Sequence, residues 1–212
     1  MIEYKTIKGP GQHEIDVRGS QFICHLARVF SEEEAKDFIA KINKEHYKAT
    51  HNCVAYQIGD NHEIQRALDD GEPSGTAGVP MLEVLKQNDL HNVITIVTRY
   101  FGGTKLGAGG LIRAYSTAVS EGLKAVGLVE RQLQTELAVT IPYNLTGNMT
   151  YWVEQSPYIL LDTTYLEEMT YHLGIPSSQV DTVQAELVDL TNDQANFKIG
   201  DQVYVDVDIP YK

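Results

Sequence analysis

The chain has 212 residues, which is enough for one large domain or two small ones. Its hydrophobic content of 42% and charged content of 22% are typical of a soluble globular protein, and no apolar run approaches the roughly 20 residues of a membrane-spanning helix. The net charge of −12 argues against a protein that coats nucleic acid non-specifically.

The first third of the chain predicts strands around one amphipathic helix. Alternation of apolar and polar residues indicates strands at 2–8, 13–17, 21–30, 51–58 and 63–68. Ser31 followed by Glu34 forms a capping box, and apolar residues then recur at helical spacing up to Ile42. A helix is therefore predicted from Ser31.

An acidic loop and a short helix follow. Residues 69–80, DDGEPSGTAGVP, contain three carboxylates, three glycines and two prolines, which predicts a loop. Proline is favoured in the first turn of a helix, so a helix is predicted to begin at Pro80.

The next stretch, 92–124, combines a predicted strand at 93–97, a glycine-rich turn and a helix beginning near Gly110. Small and apolar residues on one face of that helix predict close packing against a sheet. Bare backbone N–H groups and the positive end of the helix dipole would favour an anion at the turn. The alternative is that the glycines only permit a tight turn.

Known phosphate-binding loops fit this stretch poorly. Gly102 and Gly107 have the spacing of a Walker A loop, but Ala108 and Gly109 stand where Lys and Ser/Thr are required. The dinucleotide fingerprint needs a glycine at 112, where the chain has Ile112. The sequence therefore predicts no nucleotide or nicotinamide cofactor.

The last third predicts a separate domain. Strands at 133–141, 158–166, 168–173 and 202–209, with helices near 145–153 and from 177 or 178, give the order β-α-β-β-α-β of a ferredoxin-like fold. A boundary near 131–135 divides the chain into domains 1–132 and 133–212. The first holds 15 Lys and Arg against 17 Asp and Glu, whereas the second holds 2 against 12, so the acidity belongs to the second.

The acidic loop offers two interpretations. Asp69, Asp70 and Glu72 could hold a divalent cation, since such ions prefer oxygen ligands, but the calcium-loop spacing is absent. The favoured interpretation is structural, with the acids pairing with Arg99 and Arg113, and no metal is predicted.

Nucleophilic catalysis has little support in the sequence. No catalytic motif surrounds Ser74 or the pair His51 and Cys53, and a buried cysteine is the commoner finding. Tyr100 and Phe101 could stack on bases or plug the edge of a core.

Cellular location follows from the cysteines and the N-terminus. Cys24 and Cys53 lie far apart and form neither a metal motif nor a disulfide framework. The first residues contain no apolar signal core. The sequence predicts a cytoplasmic protein with no membrane contact.

Three motifs in this order closely resemble the IMPACT/YigZ family: ATHNCVAY at 49–56, DDGEPSGTAGVPMLEVL at 69–85 and VTRYFGGTKLGAGGLIRAY at 97–115. The resemblance covers the chain to about residue 130, and 133–212 resembles the small C-terminal domain of the bacterial members. It implies an α+β fold: a two-layer βα domain similar to domain four of elongation factor G, followed by a ferredoxin-like domain similar to its domain five. It also implies a translation-linked protein without an established enzyme activity.

The sequence favours a non-enzymatic protein that binds RNA or a ribosomal component through its N-terminal domain. Phosphates would contact the turn and the basic side chains, with aromatic stacking beside them, through Arg99, Tyr100, Phe101, Gly102, Gly103, Lys105, Gly109, Gly110 and Arg113. The acidic C-terminal domain would contact a basic protein or orient the first domain. The alternative is a small hydrolase or phosphotransferase built on Asp69, Asp70 and Glu72, with His51 and Ser74 nearby, with or without a divalent metal.

Overall fold

The computed structural model describes residues 3–211, so the start of the first predicted strand, at residue 2, lies outside the described residues. Those residues contain five α-helices and ten strands, and the strands form two sheets, which confirms the predicted α+β class. They divide into two units. The first reaches Glu130 and takes in the C-terminal segment from Asp208, and the second is Arg131–Val207. No helix among residues 3–211 has the length and apolar character needed to span a membrane.

The first unit is built on an antiparallel sheet. The strands of this unit are β1 (Tyr4–Ile7), β2 (Gly11–Val17), β3 (Ser20–Arg28), β4 (His51–Ile58), β5 (Ile64–Leu68) and β6 (Val93–Tyr100). The helices of this unit are α1 (Glu32–Glu45), α2 (Gly78–Gln87) and α3 (Gly107–Val126). Five strands form this sheet in the order β2-β3-β6-β4-β5. The central strand β6 is buried along nearly its whole length, which explains its continuous apolar run.

Helices cover both faces of this sheet. Helix α1 packs on one face through Ala35 and Ile42, and α2 and α3 pack on the other. Ser31 caps α1 as predicted, since its side chain accepts the N–H of Glu34 at 3.1 Å. The small-residue face of α3 lies against the sheet, and a Cβ on Gly122 would stand 2.7 Å from the sulfur of Cys24.

The second unit has the predicted ferredoxin-like order. It contains α4 (Thr146–Gln155), β8 (Ile159–Tyr165), β9 (Met169–Ile175), α5 (Val180–Thr191) and most of β7 (Leu128–Ile141) and β10 (Asn196–Ile209). The strand β7 pairs with β9, β9 with β8, and β10 with β7, which is the ferredoxin-like arrangement. Its core lies between the sheet and the two helices.

Several predicted boundaries were wrong. Strand β7 begins at Leu128 rather than at 133, and β10 begins at Asn196 rather than at 202, because sheet pairing extends through polar residues that resemble a linker. Helix α2 begins at Gly78, two residues before Pro80, and α3 begins at Gly107 rather than near Gly110.

Candidate functional site

The first turn of α3 is open at the surface. The chain leaves β6 at Tyr100, crosses residues 101–106 without regular structure and enters α3 at Gly107. The N-cap position, Leu106, offers no side-chain hydrogen bond, and the first turn contains no acidic residue. The first N–H groups of a helix have no intrahelical partner, so the partial positive charge at this end of the helix dipole is not compensated by the protein's own side chains.

Exposed cationic side chains flank this turn. Lys105 and Arg113 are both exposed, and within residues 3–211 neither takes part in a recorded hydrogen bond or ion pair. Arg18, from the turn between β2 and β3, joins Arg113, Leu106 and Gly110 around a depression of about 250 Å³. Arg18 was not predicted. The available signal was an Arg-Gly turn between two alternating strands, but only the sheet order brings that turn beside α3.

A second depression of about 320 Å³ lies on the other side of Leu106. Its walls include Arg99, Phe101, Lys105 and Gly107. The Phe101 side chain is 48% exposed and lies 5.5 Å from the guanidinium carbon of Arg99. An aromatic face, a cation and a helix N-terminus therefore meet at one surface.

Arg99 is held beneath this surface by a buried ion pair. Its Nη1 donates to Oε1 of Glu72 at 2.6 Å, and the two side chains are 5% and 4% exposed. The hydroxyl of Tyr115 donates to the same oxygen at 2.8 Å. The guanidinium lies between the rings of Phe22 and Phe101, and its Nε is buried without a hydrogen-bond partner. Arg99 therefore forms a wall of the depression rather than an exposed contact.

Asp69 caps α2 from within the acidic loop. Its carboxylate accepts the backbone N–H groups of Gly75, Ala77 and Gly78 at 2.8, 3.1 and 2.9 Å. Partial burial raises the pKa of this carboxyl, but the three N–H donors outweigh that effect and lower the pKa below its usual value. The N-cap residue Ala77 has no polar side chain, so Asp69 supplies the missing cap.

Asp70 joins the same loop to β4. Its side chain accepts the N–H of Asn52 at 2.6 Å, and its carbonyl oxygen accepts from Nδ1 of His51 at 2.7 Å. Nε2 of His51 lies 3.7 Å from Glu72. Arg113, predicted to pair with these acids, is exposed, and no ion pair of the described residues includes it.

Cys53 and Ser74, for which the sequence shows no catalytic motif, are also poorly placed for catalysis. The sulfur of Cys53 lies 3.0 Å from the carbonyl oxygen of Asp69 and 3.3 Å from the Tyr115 hydroxyl, within hydrogen-bond distance of both. Burial, reinforced by the nearby carboxylates and opposed by the Tyr115 hydrogen bond, raises the pKa of the Cys53 thiol to about 12, so the thiolate is absent at neutral pH. Ser74 is exposed in the acidic loop.

Tyr100 is separated from the depression. Successive strand residues face opposite sides of a sheet, so Tyr100 and Arg99 point away from each other. The Tyr100 hydroxyl instead lies 2.9 Å from Nδ1 of His46, at the end of α1. Phe101 is thus the aromatic residue of the predicted pair that lines the depression.

Comparison with known proteins places the chain among established relatives. The profile of the Impact N-terminal domain matches residues 18–123, and a domain of unknown function matches residues 139–194. IMPACT family member YvyE of Bacillus subtilis is 47% identical over 203 residues, covering 96% of this chain and 94% of its own. The chain belongs to the IMPACT family.

The chain also matches other proteins at lower identity. IMPACT family member YigZ of Escherichia coli is 31% identical, covering 83% of this chain and 87% of its own. The crystal structure of a hypothetical protein is 28% identical, with a TM-score of 0.59, and covers 95% of this chain and 98% of that one. The two-domain translational regulator Yih1 is 30% identical over 56% of this chain and 45% of its own, with a TM-score of 0.32.

The glycines of this IMPACT-family turn fall into two physical classes. A Cβ on Gly102 would lie 1.9 Å from the carbonyl oxygen of Gly19, so backbone contact with the β2–β3 turn requires glycine there. Gly103 and Gly107 have φ angles of 88° and 71°, which also favour glycine. Gly109 is different, because it has no positive φ and a Cβ there would meet nothing within 4 Å.

Alanine substitutions should separate these classes. We expect Gly109→Ala to raise the free energy of unfolding by roughly 0.5–1 kcal/mol, since alanine is the better helix former. We expect Gly102→Ala to lower it, because the turn must move to admit the methyl group. Urea unfolding of both variants beside the wild type measures the difference. Equal effects would contradict this division.

Proposed function

We propose that this protein is a non-enzymatic, translation-linked factor that binds RNA or an RNA-containing ribosomal surface at the N-terminus of α3. Phosphate groups contact the N–H groups of the first turn, with Lys105, Arg113 and Arg18 supplying charge. Bases stack on Phe101. The translation link itself rests on the family resemblance of the three sequence motifs.

One observation carries the proposal. The first turn of α3 has neither a capping side chain nor an acidic residue, and it lies between two depressions lined by cations. Bare helix N-termini with nearby cations are sites where proteins bind phosphate. Gly109 adds support. No close contact within the fold requires a glycine there, but a ligand that approaches the backbone closely would require one.

The acidic loop supports a binding role over hydrolysis. Asp69 and Asp70 each accept backbone N–H groups, and Glu72 is paired with Arg99. Among residues 3–211, the one cluster with metal-ligand spacing does not include these three acids. The loop thus holds α2, β4 and β6 together and gives the depression a rigid wall.

The acidic second domain complements this role. Residues 133–212 carry 2 basic against 12 acidic side chains, so phosphates are repelled from them. Their charge favours contact with a basic protein, and ribosomal surfaces offer both RNA and basic proteins. The two domains would then recognise different components of one assembly.

Fluorescence polarisation with labelled single-stranded and hairpin RNA, at several salt concentrations, tests the proposal. We expect Lys105→Ala with Arg113→Ala to weaken binding and to reduce the slope of log K against log salt by about two, since each lost phosphate contact removes about one unit. Arg18→Ala should reduce it further.

A matched control removes the same charge elsewhere. Lys36→Ala with Lys44→Ala alters exposed residues of α1, on the opposite face of the sheet, and should leave binding nearly unchanged. Absence of binding at low salt, or equal weakening by the control pair, contradicts the proposal. Co-sedimentation with ribosomes at low and high salt then identifies the natural partner.

A further inference from the structure

A histidine and aspartate cluster lies at the other end of β4 and β6 from the glycine-rich turn. The turn between β4 and β5 supplies His62, and the segment between α2 and β6 supplies Asp89 and His91. Because β4 has eight residues, its two ends are roughly 20 Å apart. The cluster is therefore separate from the proposed phosphate surface.

The three side chains converge. One ring nitrogen from each histidine and one carboxylate oxygen of Asp89 lie within 4.8 Å of one another. The two imidazole rings have centroids 4.0 Å apart, and Nε2 of His91 lies 3.7 Å from Oδ1 of Asp89. Among residues 3–211 this is the group that has the composition and spacing of a metal site.

A backbone carbonyl fixes the orientation of His91. Its Nδ1 lies 3.2 Å from the oxygen of Gly59, and since a carbonyl can only accept, Nδ1 carries hydrogen. This leaves Nε2 directed towards Asp89. Metal-binding histidines commonly donate one ring N–H to a backbone carbonyl in this way, which leaves the other nitrogen available to the metal.

His62 supplies an independent indication. Its Nε2 is buried and has no hydrogen-bond partner, although buried polar atoms are normally satisfied. Asp89 lies at the open side of the cluster, with its side chain 61% exposed, so a bound ion could keep water as its remaining ligand. A cation bound in this cluster would give that nitrogen a partner.

We propose that His62, Asp89 and His91 bind a divalent transition-metal ion of the zinc type. Imidazole and carboxylate ligands suit zinc, whereas magnesium and calcium prefer oxygen alone. Zinc ligands lie about 2.0–2.2 Å from the metal, so the three atoms must draw together by about 1 Å. The exposed Asp89 side chain and the turn residue His62 provide that movement.

The charge of Lys5 competes with the ion for Asp89. Nζ of Lys5 lies 3.7 Å from Oδ2 of Asp89, but both side chains are substantially exposed and such pairs are weak. The second oxygen, Oδ1, is the one that faces His91.

Calorimetric titration of the full chain with zinc, after removal of metal by a chelator, tests the site. We expect one ion per chain with a Kd of micromolar or below, and at least tenfold weaker binding in His62→Asn and in Asp89→Asn. Both positions have positive φ, 54° and 52°, which asparagine tolerates, so these variants keep the backbone conformation. His13→Asn, on β2 and outside the cluster, is the control.

Cobalt supplies a second readout, since a tetrahedral site produces visible absorption bands that should disappear in the two variants. Circular dichroism checks that each variant is folded. If His62→Asn does not fold, the test rests on zinc binding by Asp89→Asn, since Asp89 is exposed. No zinc binding, binding unchanged in the cluster variants, or equal loss in His13→Asn overturns the proposal.

Discussion

Replacing Glu72 with alanine is expected to cost roughly 3–5 kcal/mol of the free energy of unfolding, because it leaves the charge of Arg99 buried and unpaired. Arg99 has a side-chain exposure of 5%, and its Nε already lacks a partner, so few groups remain to compensate it. The Tyr115 hydroxyl loses its acceptor at the same time. The loss should appear in urea unfolding followed by circular dichroism.

Two further variants sharpen this test. Glu83 pairs with Lys86 at the surface, so Glu83→Ala should cost less than about 1 kcal/mol. Combining Glu72→Leu with Arg99→Met removes both charges, and it should recover much of the stability that Glu72→Ala loses. If Glu72→Ala costs no more than Glu83→Ala, the ion pair is not the structural centre of the loop.

Asp69→Asn is expected to destabilise the protein by roughly 1–3 kcal/mol at neutral pH, because a charged acceptor of three N–H groups is replaced by a neutral one. The effect should depend on pH. The folded-state pKa of Asp69 lies below its ordinary value of 3.8, so the carboxylate stabilises the fold above about pH 4. That contribution is lost as the pH falls through the folded-state pKa.

The measurement is urea unfolding of wild type and Asp69→Asn at pH 7, 5, 4 and 3. The difference between them should be constant down to about pH 5 and then shrink as acid protonates the wild-type carboxylate. Asp37→Asn, at an exposed position of α1, controls for loss of an acidic residue. A difference that grows as the pH falls would contradict the assigned role of Asp69.

Sequence patterns predicted the fold well where the signal is local. The Ser31 capping box, the apolar run of β6 and the β-α-β-β-α-β order all depend on residues close together in the chain. The start of β7 could not be predicted in this way, because Leu128 to Gln134 form a strand through pairing with distant strands. Polar residues in such a segment look like a linker when the partner strand is unknown.

The candidate site shows the same limit. The glycine turn and its cations Lys105 and Arg113 were visible in the sequence because they are neighbours. Arg18 reaches the site only because β2 lies at the edge of the sheet beside α3. Sequence also assigned Arg99 an exposed role, whereas its strand position turns it inward towards Glu72. Burial of a charged residue depends on tertiary packing, which local pattern does not contain.

The return of the segment from Asp208 to the first unit affects how that unit folds during synthesis. Ile209 and Tyr211 pack against the core of the first unit, and Lys8 pairs with Asp208 at 2.7 Å. These residues are synthesised after the whole of the second unit. A domain that folds as its residues leave the ribosome therefore cannot complete its packing until the second unit has been synthesised.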